Sequence, residues 1–416
     1  MKASLTISVF LSSFLRVAAS FAEEGRLVEE ALPALPEAVS NNAVALLAGD
    51  DGIHLYSMLG LKSGKTWQDI SSGAMHYFSV KGGANGTWQN IESVPGRKGR
   101  LAASAVAAGG EVYVFGGYTV AQDGSEQSIP AVYHLQRESG QWQHFSDMPV
   151  PVEDSTLLVY QDRYIYLVSG WHDLGNVNLV QVLDTANGTW KQATPWPGDP
   201  VFGHAGGISE NRMVICDGVR IVHGKGSSGR KFLPSSECWL GEISAGNFRE
   251  IRWQPIEPHP GLPRYRMAAA DDGAGNVFFA GGSVNPYNFN GIGYDGVPSE
   301  PETDLISYNF DASRWECHGA LSVASMDHRG LPRHDGWFYI IGGMRKGQEV
   351  SAGVFRFKPG KGRPCKSPLA GDYSRASRPQ AGSYILLPPA SPKAPRSEAA
   401  SLSTPSRMIT ARPEKN

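Results

Sequence analysis

The chain has 416 residues, with 49 glycines, 28 prolines and only 19% charged side chains, a turn-rich composition with enough mass for an extensive core. Its formal net charge is -2, which excludes a molecule drawn as a whole to nucleic acid or to an anionic membrane surface. The four cysteines show neither CxxC nor Cys/His zinc spacing, and no metal or other cofactor is expected.

Residues 1–22 read as an export signal. Lys2 supplies a positive start, residues 5–15 are mostly apolar, and Ser20-Phe21-Ala22 sets small residues before a cleavage point at Glu23. The apolar run is shorter than the roughly 20 residues that a spanning helix needs. A secreted or periplasmic protein without a membrane span is therefore expected. Residues 26–33 then read as a strand with a proline exit.

The body, residues 23–360, uses one pattern six times: a short apolar run that ends at a glycine or a glycine pair. The runs end at Leu59-Gly60, Gly116-Gly117, Ser169-Gly170, Asp217-Gly218, Gly281-Gly282 and Gly342-Gly343. In the first five copies a tryptophan follows in the next strand but one, at Trp88, Trp142, Trp190, Trp253 and Trp315. Glycine spacings of 48 to 64 residues mark a repeat architecture. Each copy reads as four strands, a to d. In the second copy these are residues 101–108, 111–115, 131–136 and 142–145; in the third, 155–160, 164–168, 178–183 and 190–192. Asn85-Gly86, Ser139-Gly140 and Asn187-Gly188 supply turns ahead of strand d.

The fourth copy carries Cys216 and Cys238 on either side of a loop centred near Ser227. In a hairpin about that centre their Cβ atoms would lie about 4.5 to 5.5 Å apart. A disulfide and a pair of buried thiols both fit that spacing. Cys317 and Cys365 have no evident mate. The sixth copy stops after Val354-Phe355-Arg356-Phe357, with no tryptophan strand. An unpaired edge invites aggregation and ring closure removes it, so residues 26–33 are expected to complete that copy. Residues 361–416 hold ten Lys and Arg against three Asp and Glu and are rich in Pro, Ser and Ala. Burial cannot offset the cost of ordering such a segment, and a disordered basic tail is expected.

The run-to-glycine copies and their tryptophans resemble the kelch repeat over residues 26–360. That resemblance implies an all-β, six-bladed kelch β-propeller whose last blade is closed by the N-terminal strand. Propellers host many unrelated functions, so function has to be argued from the site.

In a four-stranded blade the b–c and d–a loops rim one mouth of the axial channel. The d–a loops carry Arg97, Lys98, Arg100, Glu153, Asp154, His204, Arg264, Arg266, Asp327, His328 and Arg329. The b–c loops carry Tyr118, Trp171, His172, Asp173, Arg220, His223, Lys225, Arg230, Lys231, Asn285, Tyr287, Asn288, Asn290 and Tyr294. Cations, amides and aromatics together suit a small acidic sugar or glycan: arginine grips carboxylate, amides meet hydroxyls, and Trp171 or Tyr287 stacks on a ring face. The expected ligand contacts are Arg100, Asp154, Trp171, His172, Arg220, Arg266, Tyr287, Asn288, His328 and Arg329. The two long b–c loops, residues 219–235 and 283–302, are the expected focus. A partner protein on the same face is the other non-catalytic reading.

Among exported kelch proteins the chain is similar to the N-acetylneuraminate epimerase (sialic acid mutarotase) group in its export signal, its closing strand and its basic fourth-blade loop. The resemblance implies interconversion of sugar anomers by a glutamate just after the glycine ending strand b of that blade, with an arginine a few residues on. Here Val219 follows Gly218 and cannot transfer a proton, while Arg230 matches the arginine over a longer loop. His204 and His223, with Arg230, are the substitute catalytic candidates, because histidine titrates near neutrality. A copper oxidase of the galactose oxidase type also uses kelch-like blades. It needs two histidines, two tyrosines and a cysteine crosslinked to one tyrosine, and this chain lacks that family's extra domains.

Overall fold

A computed structural model of the protein describes residues 25–365 except 97, 138 and 224–228. The expected export signal, the tail beyond Cys365, Arg97 and Lys225 lie outside the described residues. Six antiparallel sheets follow one another along the chain, from Ala43–Gly49, Gly52–Met58, Ala74–Ser79 and Thr87–Ile91 in blade 1 to Arg333–His334, Trp337–Ile341 and Val354–Lys358 in blade 6. The protein is an all-β, six-bladed propeller.

Each strand b is apolar on both faces because neighbouring blades cover both sides of its sheet. Tyr56 and Met58 of blade 1 pack with Val112, Val114 and Trp142 of blade 2, and similar clusters fill the other gaps. The ring closes where Ile53, Leu55 and Tyr77 of blade 1 meet Tyr339 and Ile341 of blade 6, with Leu32 and Leu35 from the N-terminal segment.

That segment supplies the missing strand. Val28–Leu32 pairs with Val354–Lys358, Leu32 opposite Val354 and Val28 opposite Lys358. Arg356 fixes the register, with Nη2 at 2.7 Å and Nε at 2.9 Å from the Glu30 carboxylate and Nη1 donating to the Gly82 carbonyl at 2.6 Å.

Local geometry accounts for the repeat signature. Both residues of each doublet have positive φ, from Leu59 and Gly60 in blade 1 to Gly342 and Gly343 in blade 6. The second is glycine in every copy because a side chain has no room: a Cβ on Gly117 would lie 2.5 Å from the Leu101 carbonyl oxygen. The first position tolerates Leu59, Ser169 or Asp217. The tryptophans are inter-blade ties. Trp88, Trp142, Trp190, Trp253 and Trp315 each donate Nε1–H to the preceding blade's outer-strand region, at Pro33, Glu92, Ser146, Thr194 and Glu257.

The body runs past the expected boundary at residue 360. Arg363–Pro364 adds a fifth strand outside Arg314–Ala320 of blade 5, and Cys365 forms a disulfide with Cys317. The 48-residue separation of that pair, which reaches across the whole of blade 6, hid it from sequence. Cys216 and Cys238, opposite one another on strands b and c of blade 4, form a second disulfide.

Candidate functional site

Above the blades, b–c loops fold into short hairpins: Tyr118–Val120 with Glu126–Ser128, Trp171–His172 with Gly175–Asn176, Val219–His223 with Arg230–Pro234, and Met344–Arg345 with Glu349–Val350. One backbone bridge per blade ties the d–a loop to the residue after the glycine doublet, as in Leu101 with Tyr118, Glu153 with Trp171 and Tyr265 with Ser283. The next d–a residue is left-handed in all six blades: Asn41, Ala102, Asp154, Gly203, Arg266 and Asp327. Such a conformation costs roughly 1–2 kcal/mol at a non-glycine residue. A girdle of hydrogen bonds holds it, in which Ala102 N–H donates to Asn41 Oδ1, Asp154 to the Ala102 carbonyl, Gly203 to Asp154, Arg266 to Gly203, and His328 to Arg266. Glycine stands at position 203 because the Tyr265 ring fills the space, 1.9 Å from where a Cβ would be.

The girdle turns charged side chains toward one another. Arg266 Nη2 and Nε lie 2.6 and 3.0 Å from Asp154 Oδ2, and its Nη1 lies 3.0 Å from Asp327 Oδ1. Arg329 Nε is 3.0 Å from Asp154 Oδ1, Tyr265 Oη donates to Asp154 at 3.1 Å, and Asn41 donates to Asp327 at 3.2 Å. All four charged side chains are 3% exposed or less, so they neutralise each other. Burial opposes the charge on Asp154, but Arg266 and Arg329 outweigh it and hold the carboxyl below the ordinary range. Asp154 borders both the loop-face cavity and the void beneath it. The quartet therefore plugs the axial channel. Asp154, Arg266 and Arg329, expected as ligand contacts, are mutual partners, and Asp154 and Arg266 also form the floor of the loop-face cavity.

Over this plug lies a cavity of about 210 Å³. Its walls come from four blades: Tyr118 and Glu126 from blade 2, Glu153 and Trp171 from blade 3, Phe202, Arg230 and Phe232 from blade 4, and Asn288, Phe289 and Tyr294 from blade 5. Phe232 stacks on Tyr294 at 4.1 Å, and the Arg230 guanidinium sits 5.6 Å from the Trp171 ring centre while Nη1 donates to the Leu174 carbonyl. Glu153 is 5% exposed, and its Oε2 has no hydrogen-bond partner. Burial, with Asp154, Glu126 and Asp173 adding like charge, pushes its carboxyl well above the usual range. Partial burial also raises Glu126, against the pull of Arg266 and Arg230. The site thus offers aromatic surface, the Arg230 cation at the rim, the ion-paired Arg266 in the floor and a buried carboxyl whose pKa is raised.

Residues 99–149 match the Kelch motif. That stretch is blade 2 with its entry loop. Many solved chains match the protein; one, titled "Structure of YjhT", aligns with a TM-score of 0.60 and 16% identity over 78% of this chain and 95% of that one. At that identity the likeness is one of fold. No curated protein matches.

In this propeller several expected contacts do structural work. Arg100 is buried and donates to the Gly116 carbonyl at 2.8 Å, and burial lowers its pKa to about 10. Arg264 makes the same bond to Gly281 in blade 5. Tyr287 is fully buried against Tyr265 and Arg266. His328 bonds Ser325 Oγ at 2.8 Å, and burial, then Arg345 and Arg329, lower its pKa to about 3. His204 contacts the Val168 carbonyl at 2.9 Å, and burial lowers its pKa to about 4. Its expected proton-transfer role near neutrality fails, since it sits below the plug as a neutral wall residue. Arg220 pairs with Asp199 outside the cavity. His223 is exposed opposite Arg230, and His172 is half-buried on its hairpin; neither lines the cavity. Trp171, Asn288 and Arg230 do, as do Asp154 and Arg266 in its floor. Glu126, Phe202 and Phe232 escaped the sequence reading because as isolated hairpin or loop residues they carry no motif.

Among the described residues no group of three or more His, Cys, Asp or Glu is placed to hold a metal ion. All four cysteines are in disulfides, so no thiol is left for a tyrosine crosslink of the copper-oxidase kind.

Proposed function

We propose that the protein is an exported kelch propeller that binds an acidic carbohydrate in the loop-face cavity. The observation that carries this reading is Arg230. Its guanidinium faces an aromatic-walled cavity, stacked over Trp171, with a carbonyl rather than a carboxylate as its hydrogen-bond partner. Arginine at such a site supplies paired donors to a carboxylate, and the rings supply a stacking face for a pyranose. Two disulfides among the described residues support an oxidising compartment, as an export signal at residues 1–22 requires.

Titration calorimetry with N-acetylneuraminate, glucuronate and galactose tests the reading. Either acid should bind more tightly than the neutral sugar, and Arg230→Ala should weaken acid binding by about tenfold, the equivalent of about 1.4 kcal/mol. Equal binding of galactose, or an unaffected Arg230→Ala variant, would sink it.

A second reading, interconversion of sugar anomers, is favoured by Glu153. Its carboxyl, with a pKa raised by burial, lines the cavity as a proton-transfer group that Val219 cannot be. Exchange spectroscopy on N-acetylneuraminate would show faster α to β interconversion with catalytic protein present. An unchanged exchange rate at high protein concentration leaves binding alone.

A further inference from the structure

Glu153 is a buried carboxyl with an unusual set of neighbours. Facing it are Glu126 and Ser128 from the blade 2 hairpin, Asp173 from the blade 3 hairpin and Asp154 in its own loop. The three charged groups among them are all acids. Arg266 of the same cavity is committed to Asp154 and Asp327. Arg230 acts across the cavity on Glu126 and stacks on Trp171, the residue whose backbone bridges Glu153. Glu153, whose Oε2 is buried and without a hydrogen-bond partner, thus lines the same cavity as Arg230.

An ionised carboxylate there would repel an acidic ligand. A neutral acid does the reverse, because its O–H donates to an anionic oxygen in a short, charge-assisted hydrogen bond. We propose that Glu153 is the specificity-determining residue of the cavity, entering the complex as a neutral carboxylic acid and donating a hydrogen bond to the carboxylate of an acidic sugar that also pairs with Arg230. This rests on the acidic-carbohydrate reading. No bond is made or broken; the proton stays on Glu153, shared with the ligand oxygen. Burial and the surrounding acids both favour the protonated form.

The test is calorimetry of the full chain with N-acetylneuraminate from pH 5 to pH 9. Wild-type affinity should fall as Glu153 ionises, by up to tenfold per pH unit above its pKa. E153Q, a permanent donor of similar shape, should keep the low-pH affinity across the range. E153A should bind about tenfold more weakly at pH 5. A pH-independent wild type, or E153Q with the wild-type pH profile or the E153A loss, overturns the proposal. If neither N-acetylneuraminate nor glucuronate binds at any pH, the acidic-carbohydrate reading falls, and with it the donor role. Thermal unfolding decides the protonation state by itself. A carboxyl with a raised folded pKa stabilises fully below about pH 4.5 and loses that contribution as pH rises. E153Q should therefore gain in Tm over wild type between pH 4.5 and pH 8, and a constant difference would show that Glu153 is ionised.

Discussion

Asp154 and Arg266 come from different blades, yet each is the other's main partner in a fully buried quartet. Breaking one member of such a set leaves an uncompensated buried charge. Arg266→Leu should destabilise the protein by roughly 3–5 kcal/mol, and Asp154→Leu combined with Arg266→Leu by clearly less than the sum of the two single changes; urea denaturation measures both. Asp217, the residue that breaks the glycine pair of blade 4, has a similar role. Its carboxylate accepts from His259 Nε2 and from the Arg264 amide, both at 2.7 Å. Burial works against charge on His259, but Asp217 outweighs it and raises its pKa above 6.5. That contribution is fully present below pH 6.5 and is lost as pH rises through the raised value. The stability gap between wild type and Asp217→Asn should therefore be wider at pH 6 than at pH 9.

Strands and their ties form the next scale. The tryptophan repeat could be read as filling between blades, and the structure adds one indole hydrogen bond per copy to the preceding blade. Trp142→Phe keeps most of the ring but drops the bond to the Glu92 carbonyl. A loss of about 1 kcal/mol in chemical denaturation is expected. Blade 6, closed by a strand without tryptophan, has a substitute: the Glu29 carboxylate accepts the Ser322 amide of the blade 5 exit. Deleting residues 23–36 should cost at least roughly 3 kcal/mol from the burial of Leu32 and Leu35 alone, and should expose the Val354–Lys358 edge to association. Unchanged thermal stability and a monodisperse elution profile would exclude that closure. The missing strand was legible because a repeat predicts what its last copy lacks. The added strand Arg363–Pro364 was not, since two residues carry no periodicity.

For the molecule as a whole, the disulfides act on the unfolded chain. Linking Cys317 to Cys365 closes a loop over a separation of 48 residues, which by loop entropy contributes about 4 kcal/mol at most. Cys365→Ser should lower the unfolding free energy measured by urea denaturation by up to that amount. A matching loss in wild type on reduction would come from both bridges together, so the single variant is the cleaner measurement.

The repeat by itself determined the number of blades, the strand order and the closing strand, because those follow from local chemistry: two left-handed residues, an apolar strand and a tryptophan, recurring in order. Trp171, Arg230 and Asn288 could be placed on the loop face for the same reason. What only the tertiary structure decided is which polar residues line the cavity and which meet each other. Arg266 and Asp154 are 112 residues apart, and although the repeat sets the six d–a loops around one mouth of the channel, no local pattern shows that their charges pair with one another out of water. That pairing made a plug of Asp154, Arg266, Asp327 and Arg329, and it placed Glu153 among acids above that plug, where burial raises its pKa.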